Sequence, residues 1–515
     1  MGALKKLAGQ TAIYGVSSIL ARFLNFLLTP FYTQEGMFSD VQYGIITEMY
    51  AYVAFLIVFL TFGMETAYFR YSTKKGVDQS LAYRNSLYSV TLVSGSFILL
   101  AILFSQPIAN WLVYPNHAEY VIWFAIIVGL DALASIPLAK LRKENRAKKF
   151  AMINVVNVAV NIGLNLYFLW YCKGNFEAGN SNWLIDLTYS PEVGVGYVFI
   201  SNLIASSVKF LMLGGQLQYK GDFDWQLFKE MFRYAYPMLF VGLAFIINEM
   251  LDRMMLKSIL TKTYLQENAN LSFTEANELA QGQLGIYGGN YKIAMIISMF
   301  LQAYRYAAEP FFFNQEKEKD SVKTFAKVMN FFVIIVTMMF LAISMNLQIV
   351  KHFTPNSIYW EGLVVVPILL GANVLLGIYT NQSIWYKLAH KTYYGAMISI
   401  MGALITVTLN LIFIPMYGYM ASAWATFVCY GAMVVVSYFM GQKHYPIPYN
   451  LRKVGLYVFL AFGLFMIRWR VDISEDINWL QFSYNNALIG VYLAIVLFLD
   501  KSLWEMVSTK LLRRK

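Results

Sequence analysis

The chain is predicted to be an all-α polytopic membrane protein, and three observations predict it. About fourteen apolar stretches of roughly 20 residues fill 11–499 almost without pause, each long enough to cross some 30 Å of hydrocarbon as a helix. Hydrophobic residues make up 58% and charged residues 13% of the 515, about half the charged share of a soluble domain, so no separate soluble domain fits. Lys and Arg gather in alternate loops. Lipid offers no partner to backbone N–H and C=O groups, so the spans must be helices rather than open strands.

Taken in order, the expected spans are 11–32, 41–64, 84–105, 118–139, 150–171, 195–217, 235–258, 285–310, 327–349, 360–382, 393–415, 418–440, 452–469 and 485–502. The first run is longer than a signal-peptide core and lacks a small-residue cleavage site, so it is expected to be retained. The longest outer loops, 173–194 and 257–283, are too short for a folded domain. Segment 224–234 reads DWQLFKEMFRY, with Trp225, Phe228, Met231 and Phe232 at helical spacing, and is expected to lie as an amphipathic helix on the cytoplasmic surface.

Basic residues cluster at Lys5 and Lys6, at Arg70, Lys74, Lys75 and Arg84, from Lys140 to Lys149, from Lys317 to Lys327 and from Lys510 to Lys515, while loops 34–40 and 106–117 have almost none. The positive-inside rule therefore puts both termini in the cytoplasm, which an even number of spans satisfies. The net charge of +11 is thus a matter of topology and does not point to nucleic acid.

The chain also repeats itself weakly. At one constant offset Arg142 pairs with Lys387, Arg146 with Lys391, Ala151-Met152 with Ala396-Met397 and Leu164-Asn165-Leu166 with Leu409-Asn410-Leu411, and Gly44-Ile45 resembles Gly285-Ile286. Six helices duplicated in the same orientation give two lobes related by an axis normal to the membrane, an architecture that encloses a transporter's cavity. The expected organisation is an N-terminal lobe at 1–217, an interfacial linker at 218–234, a C-terminal lobe at 235–440, and two added helices with a basic tail at 441–515.

Charges inside hydrocarbon cost at least about 2.5 kcal/mol each unless paired or hydrated, which makes them candidates for function. Arg22 lies in the first span, Glu48 in the second, Asp131 in the fourth, Glu249, Asp252 and Arg253 in the seventh, and Lys292, Arg305 and Glu309 in the eighth. Glu249 with Arg253, and Arg305 with Glu309, stand four residues apart and can be neutralised pairs on one helix face. Arg22 and Lys292 have no opposite charge within a turn, which favours anion binding. Glu48 and Asp131 have none either, which makes them, with Asp252, candidates for cation coupling. Lys209 is assigned to snorkelling. Asn154, Asn157, Asn161 and Asn165 form a polar stripe on one face of the fifth span, suited either to interhelical hydrogen bonds or to contact with sugar and water.

Cys172 and Cys429 support neither a disulfide framework nor a zinc site, and the four histidines have no metal-ligand spacing, so no metal or cofactor is expected beyond a coupled H+ or Na+. No phosphate-binding P-loop is present, and no outer domain carries paired carboxylates or a nucleophile with its base. A membrane enzyme or polymerase acting on a lipid-linked glycan is therefore a weaker reading than a transporter.

GQTAIYGVSSILARFLNFLLTPFYT (9–33), LRKENRAKKFAMINVVNVAVNIGLNLYF (141–168), Asp252-Arg253 and GIYGGNYKIAMIISMFLQAYRYAAEPFFF (285–313) together resemble the Wzx-type polysaccharide and O-antigen repeat-unit flippases of the multidrug/oligosaccharidyl-lipid/polysaccharide exporter superfamily, which is related to lipid II flippases. The resemblance implies two six-helix lobes in a V, alternating access, and a polyprenyl-diphosphate-linked oligosaccharide, such as a lipopolysaccharide precursor, moved outward across the bacterial cytoplasmic membrane. It implies phosphate binding by Arg22 and Lys292; Arg253 and the Asn stripe are further candidate substrate contacts on their own chemistry, and polysaccharide polymerase machinery is a candidate partner alongside membrane lipids. A cation-coupled drug antiporter of the MATE type is the rival, and net basic cavity chemistry disfavours it.

Overall fold

A computed structural model of the chain describes residues 19–20, 22–180, 182–217, 219–316, 318, 320–467 and 478–500, without the side chains of 310 and 314. The start of the first expected span and the C-terminal basic tail lie outside the described residues. The described structure is all helical. Among the described residues, fourteen helices overlap the expected spans: α1 (Leu28–Tyr32), α2 (Asp40–Thr61), α3 (Gln79–Leu103), α4 (Ala118–Lys143), α5 (Ala147–Asn165), α6 (Gly196–Met212), α7 (Trp225–Glu267), α8 (Phe273–Gln315), α9 (Ser321–Ser344), α10 (Val365–Gln382), α11 (Tyr393–Tyr417), α12 (Tyr419–His444), α13 (Leu451–Ile467) and α14 (Trp479–Leu499). Among the described residues, ten helical segments are long and apolar enough to cross a membrane, and α6 is a shorter apolar helix. The protein is a multi-pass membrane protein.

Local sequence sets the helix ends. Ser39 caps α2 through a reciprocal pair of bonds with Gln42, Asp78 caps α3, and Asp224 accepts from the amides of Gln226 and Leu227 at the start of α7. After α2 the backbone turns left-handed at Phe62 and Gly63; a Cβ on Gly63 would stand 2.6 Å from the carbonyl oxygen of Ala235, so the turn needs glycine there. α5 runs on into a π-helical stretch, Leu166–Cys172.

The chain divides into two compact units, Met1–Gly288 with Thr406–Gly418, and Gly289–Ile405 with Tyr419–Lys515. In the first, the core is built from the end of α2, the short helix Met64–Tyr71, α3, α4 and the first turns of α7, with Leu87, Val90, Ile136, Leu227 and Met231 buried together. Segment 224–234 is therefore not a separate element. From Trp225 it is the beginning of α7; Leu227 and Met231 pack inward while Trp225 and Phe232 are exposed. Tyr71 donates to the Glu230 carbonyl and Lys74 pairs with Glu230 at 3.0 Å, which ties that start to the first unit.

In the second unit α10 is the most enclosed helix, packed on α9 and α12. The added helices α13 and α14 both dock on α9: Phe340 stacks on Phe462, and the hydroxyls of Thr337 and Tyr492 lie 2.6 Å apart.

α7 and α8 contain 43 residues each. At 1.5 Å per residue that is about 65 Å, twice the hydrocarbon thickness. The expected outer loop 257–283 is thus mostly helix, broken only by the turn at 268–272.

Candidate functional site

The capping box at Ser39 sets the register of α2, and its spacing of four puts Asp40, Gly44 and Glu48 on one face. On α8, Gln281, Gly285 and Gly288 share a face in the same way. These two faces meet closely, with glycines set against the backbone or a side chain of the other helix. A Cβ on Gly44 would fall on the carbonyl of Gln281, a Cβ on Gly285 on the carbonyl of Asp40 and 2.9 Å from the Gly44 amide nitrogen, and a Cβ on Gly288 on the hydroxyl of Thr47. Backbones approach this closely only through glycine.

One turn along α2 from this crossing lies a buried charge cluster. Glu48 and Lys257 are 2% and 3% exposed. The Lys257 Nζ donates to Glu48 Oε2 at 2.8 Å, to the carbonyl of Leu112 at 3.1 Å and to the Tyr114 hydroxyl at 3.3 Å. An ammonium has three protons, and all three are used. Tyr114 donates to Glu48 Oε2 in a short bond, its ring lies under Nζ, and Gln281 Oε1 stands 3.3 Å from its hydroxyl. Burial and the neighbouring carboxylate hold the Tyr114 phenol well above its usual pKa, so it stays protonated as the donor. The Nε2 of Gln281 is buried with no hydrogen-bond partner among the described residues.

Glu48 and Asp131, expected to stand alone, are both paired. Glu48 has Lys257, and Asp131 accepts from Lys209 Nζ at 2.5 Å, joining α4 to α6. Lys209 is accordingly an ion-pair partner rather than a snorkelling lysine. The expectation failed because the partner in each case comes from another helix, where spacing along one helix gives no signal. Asp252 accepts from the Tyr287 hydroxyl at 2.6 Å and lies 3.8 Å from the Arg253 guanidinium, which itself donates to the carbonyl of Glu249. Arg253 is buried. Arg305 stands 3.7 Å from Glu309, and Lys387 donates to the same carboxylate at 2.6 Å.

Arg22 is exposed and makes no hydrogen bond or ion pair among the described residues, and Lys292 is half-buried in the second unit. In the Asn stripe, Asn165 accepts from the Tyr32 hydroxyl at 2.7 Å and Asn161 donates to Asn25 at 3.3 Å, both across to the first helical segment. Asn154 and Asn157 are half-buried, and the Nδ2 of Asn157 has no partner among the described residues.

Lys257 is the residue that sequence reasoning missed, because it sits where the apolar run gives way to loop-like sequence. A signal was present: Glu249, Arg253 and Lys257 recur every four residues, a charged stripe along one face of an apolar helix.

Comparison with known proteins agrees with this architecture. A lipid II flippase, MurJ, in an inward closed conformation matches over 94% of this chain and 99% of its own, with a TM-score of 0.64 and 14% identity. An inward-facing multidrug resistance MATE family transporter of the MOP superfamily matches over 85% and 97%, with a TM-score of 0.60 and 13% identity. At those identities the likeness shows the fold. No curated protein sequence matches. The family described as polysaccharide biosynthesis protein matches residues 7–316, and the chain belongs to that family.

Proposed function

We propose that this protein is a flippase that moves a polyprenyl-diphosphate-linked oligosaccharide from the inner to the outer leaflet of a bacterial cytoplasmic membrane, with both termini inside. Its family and its fold support a membrane transporter rather than an enzyme. The observation that carries the anionic substrate is Arg22, a guanidinium in the middle of the first apolar run, exposed and uncommitted among the described residues. A cation in that position needs a counter-charge or water, and a diphosphate supplies the former. Lys292, in the second unit, is proposed separately as an anion contact, giving a point charge rather than a bidentate grip. Arg253 is buried against Glu249 and Asp252 and is assigned to holding α7 rather than to the substrate. Asn154 and Asn157 are proposed to face the glycan path, and Asn161 and Asn165 to fix the first helix.

The driving force is proposed to be the membrane potential. Glu48, Asp131 and Asp252 each have a close partner, which leaves them poorly placed to exchange a transported cation. A diphosphate leaving a negative interior gains about 2.3 kcal/mol per charge per 100 mV.

The test is export in a complemented deletion strain. Arg22→Ala is expected to abolish or severely reduce surface glycan at normal protein abundance, Lys292→Ala to reduce it, and Arg22→Lys to restore part of it. Wild-type glycan with both alanine variants overturns the diphosphate assignment.

A further inference from the structure

Ala147–Glu177 is one of the apolar segments long enough to cross a membrane, and α5 within it exposes a single stripe that runs on into the π-helical turn: Met152, Val155, Ala159, Gly163, Leu166 and Trp170, spaced by three or four residues. Asn154, Asn157, Asn161 and Asn165 run along the opposite face, and the last two bond to the first helical segment. With its polar face turned to protein, the helix turns the apolar stripe to lipid. Lys149 and Trp170 bracket that stripe about 21 residues apart, or roughly 30 Å at 1.5 Å per residue, which is the hydrocarbon thickness. Trp170, 69% exposed, therefore stands at the level of the headgroups, where tryptophan is favoured.

We propose that the connection 173–194 is an amphipathic cap laid on the membrane beside Trp170, with Trp183 and Leu187 inserted at the boundary between headgroups and acyl chains and a phospholipid surface as its partner. The short helix Trp183–Thr188 exposes Trp183 and Leu187 at 76% and 75%, one turn apart, while Ile185 between them is fully buried. This apolar pair adjoins the lipid-facing stripe. Asn182 donates to the hydroxyl of Tyr171, the neighbour of Trp170, at 3.4 Å, and the hydroxyls of Tyr167 and Thr188 lie 2.9 Å apart. Beneath them the ring of Tyr197 stacks on Phe168 at 4.6 Å and on Tyr189 at 5.1 Å, and the Ser190 amide donates to the Tyr197 hydroxyl at 2.6 Å. The cap is thus fixed to α5 and α6 with its apolar pair held outward, at the depth where Trp170 meets the headgroups.

Charge fixes the kind of docking. Lys173 is the only basic residue in 173–194, and its Nζ donates to the carbonyls of Gly36 and Met37 and lies 3.8 Å from Glu177. Glu177, Asp186 and Glu192 are exposed. A cap with that balance offers no attraction to anionic headgroups, so apolar insertion alone holds it, and salt has nothing to screen. Through Lys173 the cap also grips the segment that follows the first apolar run, so its depth in the membrane sets the level at which that run ends.

The experiment uses the full chain in phosphatidylcholine vesicles whose acyl chains carry bromine either next to the headgroup or near the terminal methyl. Subtracting the tryptophan emission of Trp183→Phe from that of the parent isolates Trp183. That signal is expected to be quenched at least about twofold more by the shallow bromine than by the deep one, as for a residue in the interface, and to be unchanged when salt is raised. Leu187→Asp is expected to remove most of this quenching while the signal isolated by Trp170→Phe stays as it was, because the substitution alters the exposed face and not the fold. Quenching of Trp183 by aqueous iodide and by neither bromine overturns the proposal and leaves the face to a soluble partner. Loss of quenching at high salt overturns the apolar docking, and quenching that survives Leu187→Asp unchanged overturns the assignment to this face. None of these readings needs a lipid-linked glycan, so they stand apart from the flippase reading.

Discussion

Replacing Asp131 by asparagine strands the ammonium of Lys209 between α4 and α6. The two charges are 2.5 Å apart, with side-chain exposures of 29% for Asp131 and 13% for Lys209. At an effective dielectric near 20 their attraction at that distance is about 7 kcal/mol. Desolvation of the two ions takes back several kcal/mol for each, so the pair as a whole is worth little more than a well-packed apolar pair. Loss of one member is a different matter. An uncompensated charge in full burial costs about 3–5 kcal/mol, and partial exposure of both groups here reduces that to roughly 2–3 kcal/mol. Asparagine keeps the shape of aspartate, so the loss reports charge rather than packing. Lys209→Met in the same chain removes the stranded cation, and the double variant is expected to recover most of the loss, with a coupling energy of about 2 kcal/mol. The assay is a double-mutant cycle on equilibrium unfolding in mixed micelles. Additive single-variant losses, or no loss in Asp131→Asn, refute the pairing and return Asp131 to the candidates for reversible protonation.

Gly285→Ala drives a methyl into the carbonyl of Asp40 and is expected to cost about 1–3 kcal/mol by overpacking, read as a lower melting temperature, whereas Gly463→Ala, inside α13 with nothing within 4 Å, is expected to leave it no lower, because alanine is the better helix former. Asn165→Ala leaves the buried Tyr32 hydroxyl without its acceptor, a loss of about 1–3 kcal/mol that Tyr32→Phe in the same chain should partly relieve in the same melt. Tyr114 has a folded pKa raised above its unfolded value of about 10, so its stabilising effect is complete below that pH and is lost as pH climbs toward the folded value; melts of Tyr114→Phe should lack this part of the alkaline decline seen in the parent. In proteoliposomes, flipping is expected to respond to membrane potential and to ignore sodium and pH gradients of equal size, and a response to either gradient at zero potential contradicts the proposed driving force.

Much of the fold was legible because membrane helices are written in one dimension. Hydrocarbon thickness demands runs of about 20 apolar residues and lipid forbids unpaired backbone groups, so composition along the chain suffices to place the spans. Helix ends were less legible at α7 and α8, which continue past the hydrocarbon through polar sequence such as that around Lys257 and Gln281, where hydropathy falls but helix does not stop. Gly44 and Gly285, which the weak sequence repeat pairs, each approach the backbone of the other's helix at the α2–α8 crossing.

Which charges meet was decided only by tertiary structure. Glu48 with Lys257 and Asp131 with Lys209 are separated by 209 and 78 residues, and no periodicity relates positions on different helices. The sequence by itself determined that the chain spans a membrane many times and carries charges within its apolar runs. Only packing could decide which of those charges neutralise one another, because the cost of an ion in an apolar interior depends on the few ångströms to its partner, and that distance does not exist until the helices are assembled.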